Sequence, residues 1–167
     1  IIGEGPESTI IDGGEISRVI TLQGGGNNHN VSMSELSLVN GSGEEDGGAI
    51  YAEDINLLLD HVIITDNYAN ETGPAIYAEW CDFIIRNSLI YGNEEIDDDV
   101  GGLYLAYTNG LIENSTIVDN EATSIQLAIA KLRLVSSIIE INYDTGVLTT
   151  GGAELYLAYT NIVSQSG

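Results

Sequence analysis

The 167-residue sequence predicts an all-β solenoid of about six to seven coils, each of 22–27 residues, with three parallel sheets around a dry interior. Three observations predict it. First, Gly47-Gly48-Ala49-Ile50-Tyr51-Ala52-Glu53 restarts as Gly73-Pro74-Ala75-Ile76-Tyr77-Ala78-Glu79, and again at Gly101-Gly102-Leu103-Tyr104. These units close on Asn67, Asn93 and Asn120, at steps of 26 and 27 residues. Second, helix signals are poor. Short β-branched runs such as Val62-Ile63-Ile64-Thr65 are bounded by Gly, Asn and Asp, which is the pattern of strands and turns. Third, Leu103-Tyr104-Leu105-Ala106-Tyr107-Thr108-Asn109 recurs letter for letter at 155–161, 52 residues later.

In chain order, residues 1–30 read as an opening coil. Thr9-Ile10-Ile11-Asp12-Gly13-Gly14 is strand then turn, and Arg18-Val19-Ile20-Thr21-Leu22 is the next strand. Residues 31–161 read as regular coils and 162–167 as the start of a further one, so a single domain covers 1–167 and reads as a piece of a longer chain. Stacking the closing asparagines Asn40, Asn67, Asn93, Asn120 and Asn142 predicts an amide ladder, because Asn tolerates the left-handed backbone of a sharp corner. Three residues before each corner stand Ile64, Ile90, Ile117 and Ile139, an aliphatic core column. Five before stand Val62, Ser88, Ser115 and Ser137, a column of small side chains. Seven before stand Asp60, Arg86 and Glu113, an ion-pair ladder.

Charge narrows the partners. Twenty-six acids face four bases, Arg18, Arg86, Lys131 and Arg133, for a net charge of −22. Nucleic acid and anionic membrane are excluded as expected partners because both would be repelled. No run reaches the length of a membrane-spanning helix, so no membrane insertion is expected. Cys81 stands alone in an apolar run and reads as an inert buried thiol.

With the coils laid out, the Gly47-Gly48-Ala49-Ile50 unit, Thr9-Ile10-Ile11-Asp12-Gly13-Gly14 and Asn114-Ser115-Thr116-Ile117-Val118-Asp119-Asn120 resemble right-handed parallel β-helix proteins of the pectate-lyase-like superfamily. The likeness is nearest to the repeats of bacterial surface and polymorphic outer-membrane proteins and covers roughly residues 8–166. It departs from them at Phe83-Ile84-Ile85-Arg86, where that repeat ends in Asn. The resemblance implies an extracellular or cell-surface location. It spans lyases, hydrolases, adhesins and stalks, so it specifies fold more than activity.

Three constellations are candidate sites. With Ile50, Ile76 and Leu103 inward, Tyr51, Tyr77 and Tyr104 point outward; Gln126 interrupts the column and Tyr156 resumes it. Exposed aromatics stack on sugars or anchor a protein partner, and tyrosine is equally a good exposed strand former. The loop acids Glu94, Glu95, Asp97, Asp98 and Asp99 offer the oxygen ligands that suit Ca²⁺, the one candidate ion, and equally form a solvated acidic edge. No other cofactor is expected. Lys131 and Arg133 share a strand face without a matching acid pattern, and His29 and His61 lie apart from any Ser or Cys of triad type, so no catalytic residue is assigned. The expected function is a structural or binding module of an extracellular or cell-surface protein, with a polysaccharide or surface protein as partner. The alternative is the core of a polysaccharide lyase or glycoside hydrolase. Open coil ends also allow end-to-end or edge association.

Overall fold

The computed structural model describes every residue except 28, 96–101, 121–122, 142–146 and 165–167. The described residues form strands, corners and turns without a helix, and every strand pairing between them is parallel. The chain is a parallel β-solenoid of about five turns. One wall is a six-stranded sheet running from Ile20–Gln23 through Ile50–Glu53, Ile76–Glu79, Leu103–Ala106 and Ile125–Ala128 to Val147–Thr150. Six strands enclose five turns, fewer than the six to seven expected, because the opening residues add only part of a rung. An 11-stranded sheet supplies the other two walls. Its walls are joined because His29–Val39 and Ile55–Thr65 run through the corner as unbroken strands. A short three-stranded sheet, Ser42–Gly43, Tyr68–Ala69 and Glu94–Glu95, closes the rod beside the acidic loops.

Single left-handed residues make the corners. Asp54, Trp80, Tyr107 and Ile129 turn the chain out of the six-stranded wall, and Glu35, His61, Asn87, Asn114, Ser136 and Tyr159 turn it between the other two. Each has a φ near +50°, a region that favours glycine and asparagine. One such residue redirects the strand without a loop, which keeps successive coils in register.

The predicted columns stack inside. Ile64, Ile90, Ile117 and Ile139 lie directly on one another and are fully buried. Beside them runs a hydroxyl ladder: the backbone N–H of Val62 donates to Ser88 Oγ at 3.2 Å, that of Ser88 to Ser115 Oγ at 3.2 Å, and that of Ser115 to Ser137 Oγ at 3.3 Å. The amide ladder is present at three positions. Asn67 Nδ2 donates to Asn93 Oδ1 at 2.9 Å, and Asn93 Nδ2 to Asn120 Oδ1 at 2.8 Å. Each amide also donates to carbonyls of its own and the preceding coil, so the buried amides of the ladder are satisfied.

Asn40 departs from the prediction. It sits on the left-handed corner with Asp66 and Asp119, and its amide donates to exposed Asp12. The ladder position belongs to Gly41, whose N–H donates to Asn67 Oδ1 at 2.8 Å. A Cβ at Gly41 would lie 2.1 Å from the Gly48 carbonyl, so no asparagine fits there. The coil step is 26, not 27. Asn142 lies outside the described residues.

Candidate binding face

The tyrosine column exists over three coils. Tyr51, Tyr77 and Tyr104 are directly opposed on neighbouring strands. Their rings stack with centroids 5.1 and 5.2 Å apart and planes within 6° and 13°. The Arg18 guanidinium lies 4.8 Å over the Tyr51 ring, held there by the carbonyls of Asp46 and Gly47. Both faces of Tyr51 and Tyr77 and one face of Tyr104 are therefore taken by neighbouring rings and Arg18, and the Tyr77 hydroxyl donates to Glu79. Burial, reinforced by Glu53 and Glu79 nearby, pushes the Tyr51 phenol above its ordinary range, and burial with Glu79 does the same to Tyr77.

Tyr156 is not in this column. It lies on Glu154–Ala158 in the 11-stranded sheet, opposite Arg133 and hydrogen-bonded to Glu154. Val147–Thr150 takes the place beside Ile125–Ala128 that Tyr156 was expected to share.

Of the acidic set, Glu94 and Glu95 are described. Glu94 and Glu95 are consecutive strand residues, so they face opposite sides: Glu94 is exposed and Glu95 is buried over Ala69. Asp97, Asp98 and Asp99 lie outside the described residues. Among the described residues no group of three His, Cys, Asp or Glu is placed to hold a metal ion. Cys81 is buried and free, and burial raises its thiol above the ordinary range, away from nucleophilic use.

The structure assembles another face. On the outer side of the 11-stranded sheet, Asn30, Asn56, Asp82 and Asn109 stand in one column across four coils. Asn56 Nδ2 donates to Asn30 Oδ1 at 2.9 Å, and Asn109 Nδ2 to Asp82 Oδ1 at 3.0 Å. Beside them runs an apolar column of Leu58, Ile84 and Leu111. Together they line an open groove of about 600 Å³. Its floor is held by a close fit: Phe83 lies over Gly110, where a Cβ would come within 2.1 Å of the ring.

At the corner two residues before Asp82 and Asn109 stand Trp80 and Tyr107. Their rings stack at 4.1 Å with planes within 4°, yet Trp80 is 51% and Tyr107 41% exposed. Ile129 follows on the next coil, also about half exposed. Sequence reading missed this column, although its steps of 27 and 22 match the coil spacing. Bulky residues at a left-handed corner run against the backbone preference, so no propensity rule points to them.

Past the next two positions along the strands, Asp60 and Arg86 form the predicted ion pair at 2.8 Å, with Asn87 donating to the same carboxylate. The Arg86 hydrogen bond holds the Asp60 carboxyl at about 2. A carboxyl depressed in the folded state stabilises above its ordinary pKa of 3.8, and that contribution is lost as pH falls through about 2. Arg86→Gln should therefore lower stability at pH 5, and the deficit should vanish as pH approaches 2. Both side chains are partly solvated, so the deficit stays below about 1 kcal/mol. Denaturant titrations of both proteins across that range check it; a deficit constant with pH would assign it to packing instead.

Compared with protein-family models, with curated proteins and with solved structures, the chain matches none.

Proposed function

We propose that this chain is a binding rod of an extracellular or cell-surface protein, and that it lays a polysaccharide along the outer face of its 11-stranded sheet. The exposed Trp80–Tyr107 stack at the rim of the groove carries this reading. Holding a non-glycine residue in the left-handed region costs roughly 1–2 kcal/mol. Asn or Asp would turn the same corner at lower cost, and Asp54 does so on the preceding coil. A sequence that keeps an indole and a phenol there, half in water, keeps them for contact. The neighbouring Asn and Asp column supplies donors and acceptors for hydroxyl groups, and Leu58, Ile84 and Leu111 supply an apolar strip for the C–H face of a sugar ring. The likeness to pectate-lyase-like surface repeats belongs to this same proposal. Hydrolysis of a glycoside uses two facing carboxyl groups, and the described lining of the groove contributes one, Asp82, which accepts from Asn109. Binding is thus favoured over turnover.

A glycan array followed by titration tests the proposal. The protein should retain an extended polysaccharide. Trp80→Ala should weaken binding at least tenfold while the melting temperature moves by only a few degrees, because Trp80 is half exposed and the lost ring stacking is only about 0.5–1.5 kcal/mol. Retention of no glycan, or equal affinity in the Trp80→Ala protein, would sink it.

A further inference from the structure

The repeated heptapeptide occupies two different walls. Leu103–Ala106 lies in the six-stranded sheet against Ile125–Ala128. The identical letters at 155–158 lie in the 11-stranded sheet against 132–135. Local conformation is the same in both places: a strand, then Tyr107 or Tyr159 on a left-handed corner, with φ of 51° and 54°. The two seats are alike as well. Ile125-Gln126-Leu127-Ala128 turns at Ile129, and Leu132-Arg133-Leu134-Val135 turns at Ser136. Each seat presents aliphatic, polar, aliphatic and small residues before a corner, so period-2 alternation cannot choose between them.

We propose that the rung formed by residues 147–164 has two registers, in which Leu155–Ala158 exchanges with Val147–Thr150 for the edge of Ile125–Ala128 opposite Leu103–Ala106. The current occupant fits that edge imperfectly. Thr149 stands in the inward position over Leu127 and is exposed, whereas exchange would set Leu157 there. The opposite edge of Ile125–Ala128 already accepts these same residues from the first copy. The register seen here is held by the Lys131–Glu154 ion pair at 3.2 Å and by pairing of Asn161–Ser164 with Ile138–Ile141. Exchange gives up both, which makes the second register the minor state. It would carry Tyr159 to the corner column behind Ile129, lengthening the exposed apolar ridge by one tyrosine. The exchange does not depend on what the ridge binds.

Cysteine trapping tests it. Cys81→Ala removes the chain's one thiol. In that background, Gln126→Cys with Leu148→Cys reports the register seen here, and Gln126→Cys with Tyr156→Cys reports the exchanged one. Opposed residues on neighbouring strands lie about 4.8 Å apart, within reach of a disulfide. In a glutathione buffer, with peptide mapping under non-reducing conditions, the 126–148 bond should close fast. The 126–156 bond should close more slowly, and at least threefold faster when Lys131→Gln is added. A 126–156 pair that stays reduced while 126–148 closes overturns the proposal. Closure of 126–156 only at urea concentrations that unfold the rod overturns it too.

Discussion

Asn93→Ala should remove about 3–5 kcal/mol of stability. Asn93 is fully buried at the middle of the amide ladder. Its Nδ2 donates to Asn120 Oδ1, Ile64 O and Tyr91 O, and its Oδ1 accepts from both nitrogens of Asn67. Alanine removes all of these and leaves their partners in a site with no room prepared for water. Each buried polar group stranded in this way costs about 1–3 kcal/mol. A single-domain protein has about 5–15 kcal/mol to lose, so the variant should sit near the edge of folding. Asn40 supplies the internal control. It looks like a ladder member in the sequence and is not one, so Asn40→Gly, which suits its φ of 51°, should change stability by less than about 1 kcal/mol. Urea titrations measure both. Equal losses at the two positions would mean that the ladder contributes nothing beyond its individual turns.

Ile90→Ala should cost about 2–5 kcal/mol. The side chain is sandwiched between Ile64 and Ile117, both fully buried, and the backbone on either side is fixed by parallel pairing. A rigid ladder cannot collapse into the space, so the cavity term stays with the lost transfer energy. The expected value is in the upper half of the range for that reason. Ile162→Ala is the comparison. It pairs with Ile139 on the last rung and is 39% exposed, so the same truncation should cost less than half as much. A loss below about 1 kcal/mol at Ile90 in a denaturant titration would remove the column from the core.

The sequence by itself determined the solenoid, the aliphatic and serine columns and the inward or outward parity of the Ile50–Tyr51, Ile76–Tyr77 and Leu103–Tyr104 positions. Those properties follow from periodicity: a coil step near 26 stacks like on like, and a side-chain period of two fixes which face a residue takes. Tertiary structure decided the rest. Asn40 and Asn67 differ by 27 residues, and only the stacked backbone shows that Gly41 holds the ladder position. Tyr51, Tyr77 and Tyr104 were legible as outward, but ring orientation depends on each neighbour, and only the structure shows the three rings stacked on one another. Trp80 and Tyr107 were invisible as a pair because a left-handed corner is made by neighbouring coils, not by the preferences of the residue that occupies it. Tyr156 is the sharpest case. Its seven-residue surroundings are identical to those of Tyr104, yet it stands in a different wall. Local sequence fixes strand, corner and parity; which wall a strand joins is set by the length of the coil before it and by which edge that coil has already filled.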